Sequence, residues 1–269
     1  MTDLAAAPST GQPGAAPRPP HPAARLLVVI HEGDGGPGRL TRWLPELDLR
    51  RPYAGDPLPA DLSGHDGLLV LGGAMGAHDD EQAPWLPATR ALLAEAVDTG
   101  VPALGICLGA QLLAVATGGQ VGRGEAGLEV GLVGVRLLPA AADDPLLGGL
   151  HRDLAAVAGG GAPGFGVAQW HQDAVLRLPP GAVLLAGGDR YPHQAFRLGE
   201  RAWGVQYHPE VTRADFEEWM RGGHGAVREH GLQPENVLAE LTAADPALDR
   251  IAESHARAFA ARVAQAVAG

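Results

Sequence analysis

A doubly wound α/β fold, its sheet mostly parallel with an antiparallel C-terminal extension, is predicted by three features of the chain. LLVVI (26–30), GLLVL (67–71) and VPALGI (101–106) are short, unbroken apolar runs, suited to strands buried on both faces. Segments with a helical spacing of apolar residues stand between and after them, the rhythm of strand–helix–strand units. Beyond residue 128 the runs EVGLVGVRLL, AQWHQDAVLRL, AVLLAGG, HQAFRLG and AWGVQYHPE follow over tight links, the pattern of a meander or mixed extension of the sheet.

In order along the chain, residues 1–24 are mainly Ala, Pro and Gly with little to bury, and are expected to form a disordered tail. After the first strand HEGDGGPG makes a turn, and Pro37 is expected to open a helix carrying Leu40, Trp43 and Leu44. GLLVL runs into GGAMGAHDD. In PWLPATRALLAEAVDTG, apolar residues at 85, 86, 92, 93, 96 and 97 describe a helix that Gly100 closes. VPALGI leads straight into LGAQLLAVATGG, a further helix. Thr212 and Asp215 mark a helix start in TRADFEEWM. Asp245 and Pro246 mark another, opening a last helix whose Leu248, Ile251, Phe259, Val263 and Val267 fall near one face. The expectation is one globular unit over 25–234, with 235–269 as a helical extension packed on it.

Composition narrows the function classes. Hydrophobic residues at 46% and charged residues at 19% suit a soluble globular protein, and no apolar run approaches the roughly 18 residues of a membrane span. The N-terminus lacks the basic and apolar regions of a secretory signal. A single cysteine excludes an internal disulfide and a thiolate metal cluster, and a reducing cytoplasm fits best. A net charge of −11, with every basic residue an Arg, argues against a nucleic-acid-binding surface.

That single cysteine, Cys107, stands in GICLGAQLLA, where a buried strand gives way to a helix. A lone thiol is either a small buried hydrophobe or a nucleophile on a sharp corner. Glycines at 105 and 109 allow close backbone approach, and a helix N-terminus favours the thiolate. The N–H of Leu108 is placed to hydrogen-bond an oxyanion. A cysteine nucleophile needs a base and a group that orients the base. His208 ends the strand AWGVQYHPE, and Glu210, two residues on, faces the same side of an extended segment.

GICLGAQLLA followed about a hundred residues later by WGVQYHPE resembles the class I, triad-type glutamine amidotransferases, nearest to proteins similar to the amidotransferase domain of GMP synthetase. The likeness spans roughly residues 26–220 and includes GPG after the first strand, the GG turn after the second, EVG at 129–131 and WHQD at 170–173. It implies the flavodoxin-like form of the doubly wound fold, with Cys107 as nucleophile, His208 as general acid and base, and Glu210 as its orienting partner. It further implies an oxyanion hole from the N–H groups of Gly73 and Leu108. Substrate contacts are implied at Gly72, Gln111, Trp170, His171 and Gln172. Gln172 stands where that synthetase usually has Gly, and Ala74 and Met75 follow the GG turn without the Pro common in larger synthetases.

The implied reaction is glutamine hydrolysis through a thioester, needing no metal and no organic cofactor. Gly-rich EGDGGPG and AVAGGGAPG lack the Lys of a nucleotide loop, so a synthetase that uses the ammonia with ATP is expected on a separate chain. Hydrolysis of a γ-glutamyl amide or peptide by the same triad is the alternative, and a non-catalytic regulatory protein on the same fold a third. Of the other histidines, His31 at the end of the first strand is a candidate to line the site. His171 is divided between pocket and structural hydrogen bonding; His65, His78, His151, His193, His224, His230 and His255 read as solvated surface residues.

Overall fold

The three apolar runs lie side by side in the parallel half of a mixed sheet. In the computed structural model, residues 24–33, 35–159 and 161–268 are described. The tail expected over 1–24 lies, Ala24 apart, outside the described residues, as does the His224 side chain. The strands are β1 (Arg25–Val29), β2 (Glu46–Arg50), β3 (Gly67–Val70), β4 (Ala103–Ile106), β5 (Gln120–Arg123), β6 (Glu129–Leu137), β7 (Gly164–His171), β8 (Asp173–Arg177), β9 (Val183–Gly187), β10 (Ala195–Leu198) and β11 (Ala202–Val205). The helices are α1 (Leu86–Thr99), α2 (Leu108–Ala116), α3 (Gly148–Val157), α4 (Arg213–Glu229) and α5 (Pro234–Ala268).

Among the described residues the main sheet runs β2-β1-β3-β4-β11-β10-β9-β6-β7, and β5 pairs with β8 in a separate ribbon. The pairs from β2 to β11 are parallel and those from β11 to β7 antiparallel, as the change of pattern in the sequence predicts. Successive residues of LLVVI serve opposite faces. Leu26, Val28 and Ile30 join the core under α5 with Phe259 and Val263, whereas Leu27 and Val29 join the core under α1 and α2 with Leu92 and Leu112. Helix α1 ends on Gly100 at φ 74°, and α4 begins with the reciprocal Thr212–Asp215 capping box.

Several expected elements differ. Pro37 opens only a 3-10 turn, Gly38–Arg42, in place of a helix through Leu44. AQWHQDAVLRL is two strands that leave Gln172 for different sheets, β7 in the main sheet and β8 in the ribbon. Asp245–Pro246 does not start the last helix, because α5 passes straight through Pro246. Proline removes one intrahelical donor, yet buried Val237 and Leu241 before it and Leu248 and Ile251 after it anchor both halves to one core. The edge strand β2, β5 and α3 carry no continuous apolar run and went unanticipated.

Two histidines expected at the surface are interior. His65 is 5% exposed, with Nε2 2.9 Å from Asp48 Oδ2. His255 is 1% exposed; its Nδ1 donates to the Ile251 carbonyl at 2.8 Å, so Nε2 accepts from the Tyr207 hydroxyl, also at 2.8 Å. His78 and His230 are exposed, and His151 and His193 are half-buried.

Burial pushes His255 down to about 4, and does the same to His31, whose Nδ1 accepts from Trp85 Nε1 at 2.9 Å. Between pH 4 and 6.5 the unfolded chain therefore binds protons that these native rings refuse. Stability must fall as pH drops through that window, on the order of 3 kcal/mol per histidine. Urea unfolding is expected to show a marked loss from pH 6.5 to 4.5, and His255→Gln a clearly smaller one; parallel declines would contradict a neutral, buried His255.

Candidate active site

Cys107 sits between the end of β4 and the start of α2 with φ 51° and ψ −106°, the only non-glycine residue at positive φ among the described residues. Such a backbone costs of order 1–3 kcal/mol and persists because its surroundings hold it. The Cys107 N–H donates to the Val205 carbonyl at 2.8 Å, and the Gln111 N–H donates to the Cys107 carbonyl at 3.1 Å. The flanking glycines are required by contact. A Cβ on Gly105 would lie 2.4 Å from the Gly109 carbonyl carbon and oxygen, and one on Gly109 would lie 2.1 Å from the Val70 carbonyl oxygen. The helix thus crosses the strand ends at backbone distance and lifts the thiol into a cavity of about 770 Å³. Leu108, first residue of α2, has no intrahelical acceptor for its N–H.

β11 lies parallel beside β4 with Val205 opposite Ile106, so the chain beyond β11 runs past Cys107. The His208 N–H donates to the Ala168 carbonyl of β7 at 2.9 Å, and its Nδ1 bonds Glu210 Oε1 at 2.7 Å. Burial, the largest influence on the ring, disfavours its charge. The Glu210 carboxylate and then the Cys107 sulfur outweigh burial, and His208 is pushed up to about 10. Trp219 packs edge-on against this ring, with centroids 4.9 Å apart.

The other expected site residues gather around the same cavity. Gly72 lies against both groups, since a Cβ there would meet His208 Cε1 at 3.0 Å and Cys107 Cβ at 3.5 Å. Gly73 lines the cavity and abuts the Leu108 side chain. Gln111 also lines it, with Nε2 donating to the Asp173 carbonyl at 2.8 Å and to Gln206 Oε1 at 3.2 Å. Trp170, His171 and Gln172 form part of the wall. His31 is buried beneath the Gly73 turn and is absent from the cavity lining.

Sequence reasoning missed several members. Gln206 donates from Nε2 to Cys107 Sγ at 3.5 Å; its place two residues before His208, on the same face of an extended segment, was a usable signal. Glu129, 1% exposed, holds His171 Nε2 at 3.0 Å and Gln194 Nε2 at 2.8 Å. Glu32, Arg123, Glu218 and Trp219 reach the cavity from separate elements with no local motif. Among the described residues no group of three His, Cys, Asp or Glu is placed to hold a metal, and no helix is long and apolar enough to cross a membrane.

The sequence model described as glutamine amidotransferase class-I matches residues 52–221, well over half of the chain. The chain belongs to the class I glutamine amidotransferase family. A GMP synthase [glutamine-hydrolyzing] of Porphyromonas gingivalis is 32% identical over 193 residues, which cover 70% of this chain but 34% of that protein. Gamma-glutamyl peptidase 5 of Arabidopsis thaliana is 33% identical over 170 residues, 62% of this chain and 63% of that one. The match thus spans about a third of the synthase and under two thirds of the peptidase. A glutamine amido transferase from Methylobacillus flagellatus superposes with a TM-score of 0.75 at 28% identity, covering 90% of this chain and 94% of that one. For a glutamine amidotransferase from Thermotoga maritima the TM-score is 0.74 at 26% identity, with coverages of 89% and 99%. The names of these amidotransferase and peptidase relatives support an enzyme.

If Glu210 holds the His208 ring as its charged form, removing that carboxylate's charge must release it. In Glu210→Gln the His208 ring resonances are expected to titrate at least one pH unit below those of the wild type, whose ring the carboxylate raises above its ordinary value. An unchanged midpoint would show that the carboxylate is not what holds the proton.

Proposed function

We propose that this amidotransferase-family chain hydrolyses the side-chain amide of glutamine to glutamate and ammonia through a cysteinyl thioester. The observation that carries the reading is the strained Cys107 corner beside the His208–Glu210 pair. Cys107 Sγ attacks the amide carbon, and the oxyanion falls between the N–H groups of Gly73 and Leu108. Donors of this kind contribute about 2.7–4 kcal/mol each to the barrier in acyl-transfer sites. His208 delivers its proton to the departing nitrogen as the C–N bond breaks. The ring then takes a proton from water, whose oxygen attacks the thioester and frees Sγ. Glu210 keeps the ring oriented throughout. The ammonia passes to an ATP-dependent synthetase on a separate chain; the name of the GMP synthase relative supports a synthetase as the user of the ammonia. No cofactor enters the hydrolytic half-reaction.

One observation favours a second reading, hydrolysis of γ-glutamyl amides or peptides by the same triad. The cavity of about 770 Å³ is of the size that takes drug-sized ligands, and its wall of Trp170, Trp219, Gly223 and Ala226 leaves room beyond the reacting carbon. The peptidase relative is named for that bond.

Ammonia and glutamate release, measured on glutamine and a panel of γ-glutamyl amides, tests both. Wild type is expected to turn over at least one of them, and Cys107→Ala to lose at least a thousandfold in kcat. Turnover of conjugates without glutamine selects the second reading. Equal activity of Cys107→Ala and wild type would sink both.

A further inference from the structure

Glu210 holds its place with little help from its own side chain. Oε1 bonds His208, while the buried Oε2 has no hydrogen-bond partner among the described residues. The aim of the carboxylate therefore depends on its backbone. That backbone is gripped by the 3-10 turn after β1. The Arg39 N–H donates to the Glu210 carbonyl at 2.8 Å, and Arg39 Nε donates to the Val211 carbonyl at 2.9 Å. Gly38, at φ +43°, lies so close that any Cβ there would stand 2.1 Å from the Glu210 carbonyl oxygen.

Arg39 is itself 5% exposed, and its charge is met from one element alone. Nη1 donates to Asp249 Oδ1 at 3.3 Å and Nη2 to Asp245 Oδ1, both on α5, while the second Asp249 oxygen accepts from Arg42 at 2.9 Å. Asp215 is the other charged group beside this turn, close to Gly38. A planar guanidinium satisfies a carbonyl and two carboxylates at once; an ammonium at that site lacks the fork. Both ends of the linkage, Gly38–Arg39 and Asp245/Asp249, lie outside residues 52–221, the segment that matches the family model.

We propose that Arg39 is a positioning residue for Glu210, and that α5 holds it in place through Asp245 and Asp249. The inference rests on the triad reading above. In this arrangement the C-terminal helix sets the orientation of the third triad member without touching substrate.

The test is the Asp245→Asn/Asp249→Asn double variant of the full chain, beside Asp48→Asn as control. Asp48 anchors Arg25, Arg50 and His65 at the β2 edge, away from the cavity, so its loss destabilises without reaching Glu210. Four quantities are read: kcat and KM on a substrate the wild type turns over, the thermal midpoint, and the NMR titration midpoint of His208, which faces Glu210, Cys107 and the Trp219 ring. The double variant is expected to lose roughly tenfold or more in kcat with KM within about twofold. Its His208 midpoint should move down in the same sense as in Glu210→Gln, whereas Asp48→Asn lowers the thermal midpoint and shifts neither kcat nor the His208 titration. A folded double variant with wild-type kcat and His208 titration overturns the proposal. So does an equal kcat loss in the control. Should the double variant fail to fold, Asp249→Asn alone, whose carboxylate is 35% exposed, is read by the same criteria. The His208 titration needs no turnover, so an inactive wild type would count against the catalytic reading and still decide this one.

Discussion

The parallel pairing of β11 with β4 joins segments about a hundred residues apart, and the candidate site is assembled on that seam. Val205 opposite Ile106 puts the two strand ends level, with Cys107 turning up from one and Gln206, Tyr207 and His208 continuing from the other. Parallel strands leave their C-terminal ends on one edge of the sheet, where open α/β folds place their clefts. Register is decisive, because a slip of one residue exchanges the faces of every side chain. Gln206 and His208 would then point away from the sulfur, and Tyr207 would leave the core that it fills with no exposure at all. Burial of Trp203 and Val205 at 0% and 1% sets that register with apolar surface rather than with the polar groups it serves.

From that seam a continuous polar network runs behind the cavity. Gln206 bonds Cys107 and accepts from Gln111; Gln111 bonds the Asp173 carbonyl, which also meets His171 Nδ1 at 3.0 Å. His171 reaches Glu129, Glu129 takes Gln194, and Gln194 Oε1 accepts from Gln169 Nε2 at 2.7 Å. Buried polar groups linked this way fix rotamers more firmly than apolar packing does, since each broken link strands a partner. The network therefore keeps the wall of the cavity in one arrangement before any ligand arrives.

The strands of the parallel half were legible in the sequence because they are buried on both faces, which leaves unbroken runs such as LLVVI. The Cys107 corner was legible for a related reason: both flanking positions exclude a Cβ, and glycine is visible in a sequence when geometry is not. His208 and Glu210 followed from the spacing of an extended segment. What stayed hidden depends on tertiary contact. β2 offers only Leu47 and Leu49, both half-buried at the sheet edge, so no unbroken apolar run marks it. Asp245–Pro246 carries every local mark of a helix start, but burial on both sides and the pull of Arg39 on Asp245 and Asp249 override it. His65 and His255 have polar neighbours in sequence and apolar or carboxylate neighbours in space. Arg123 and Trp219 meet the cavity from β5 and α4, and nothing within either segment marks them out.

The charge balance at His208 also bears on how one ring would serve the two opposite steps of the proposed reaction. Against burial, the Glu210 carboxylate and the Cys107 sulfur together favour the protonated ring. In the proposed reaction that form suits the first half, where an anionic sulfur attacks and the departing nitrogen needs a proton. Formation of the thioester then removes the negative charge from sulfur, and with it one of the two influences that opposed burial. Burial is unchanged, so in the thioester the ring, having given up its proton, is less basic than in the free enzyme; cleavage returns the charge to sulfur, and the proton taken from water then restores the starting pair. Glu210 persists through both halves and stops burial alone from leaving the ring too weak a base. A carboxylate displaced from His208 would weaken both steps at once, the first by lowering the population of the ion pair and the second by losing the orientation of Nδ1. In the proposed reaction, control over the backbone of Glu210 is thus control over both steps.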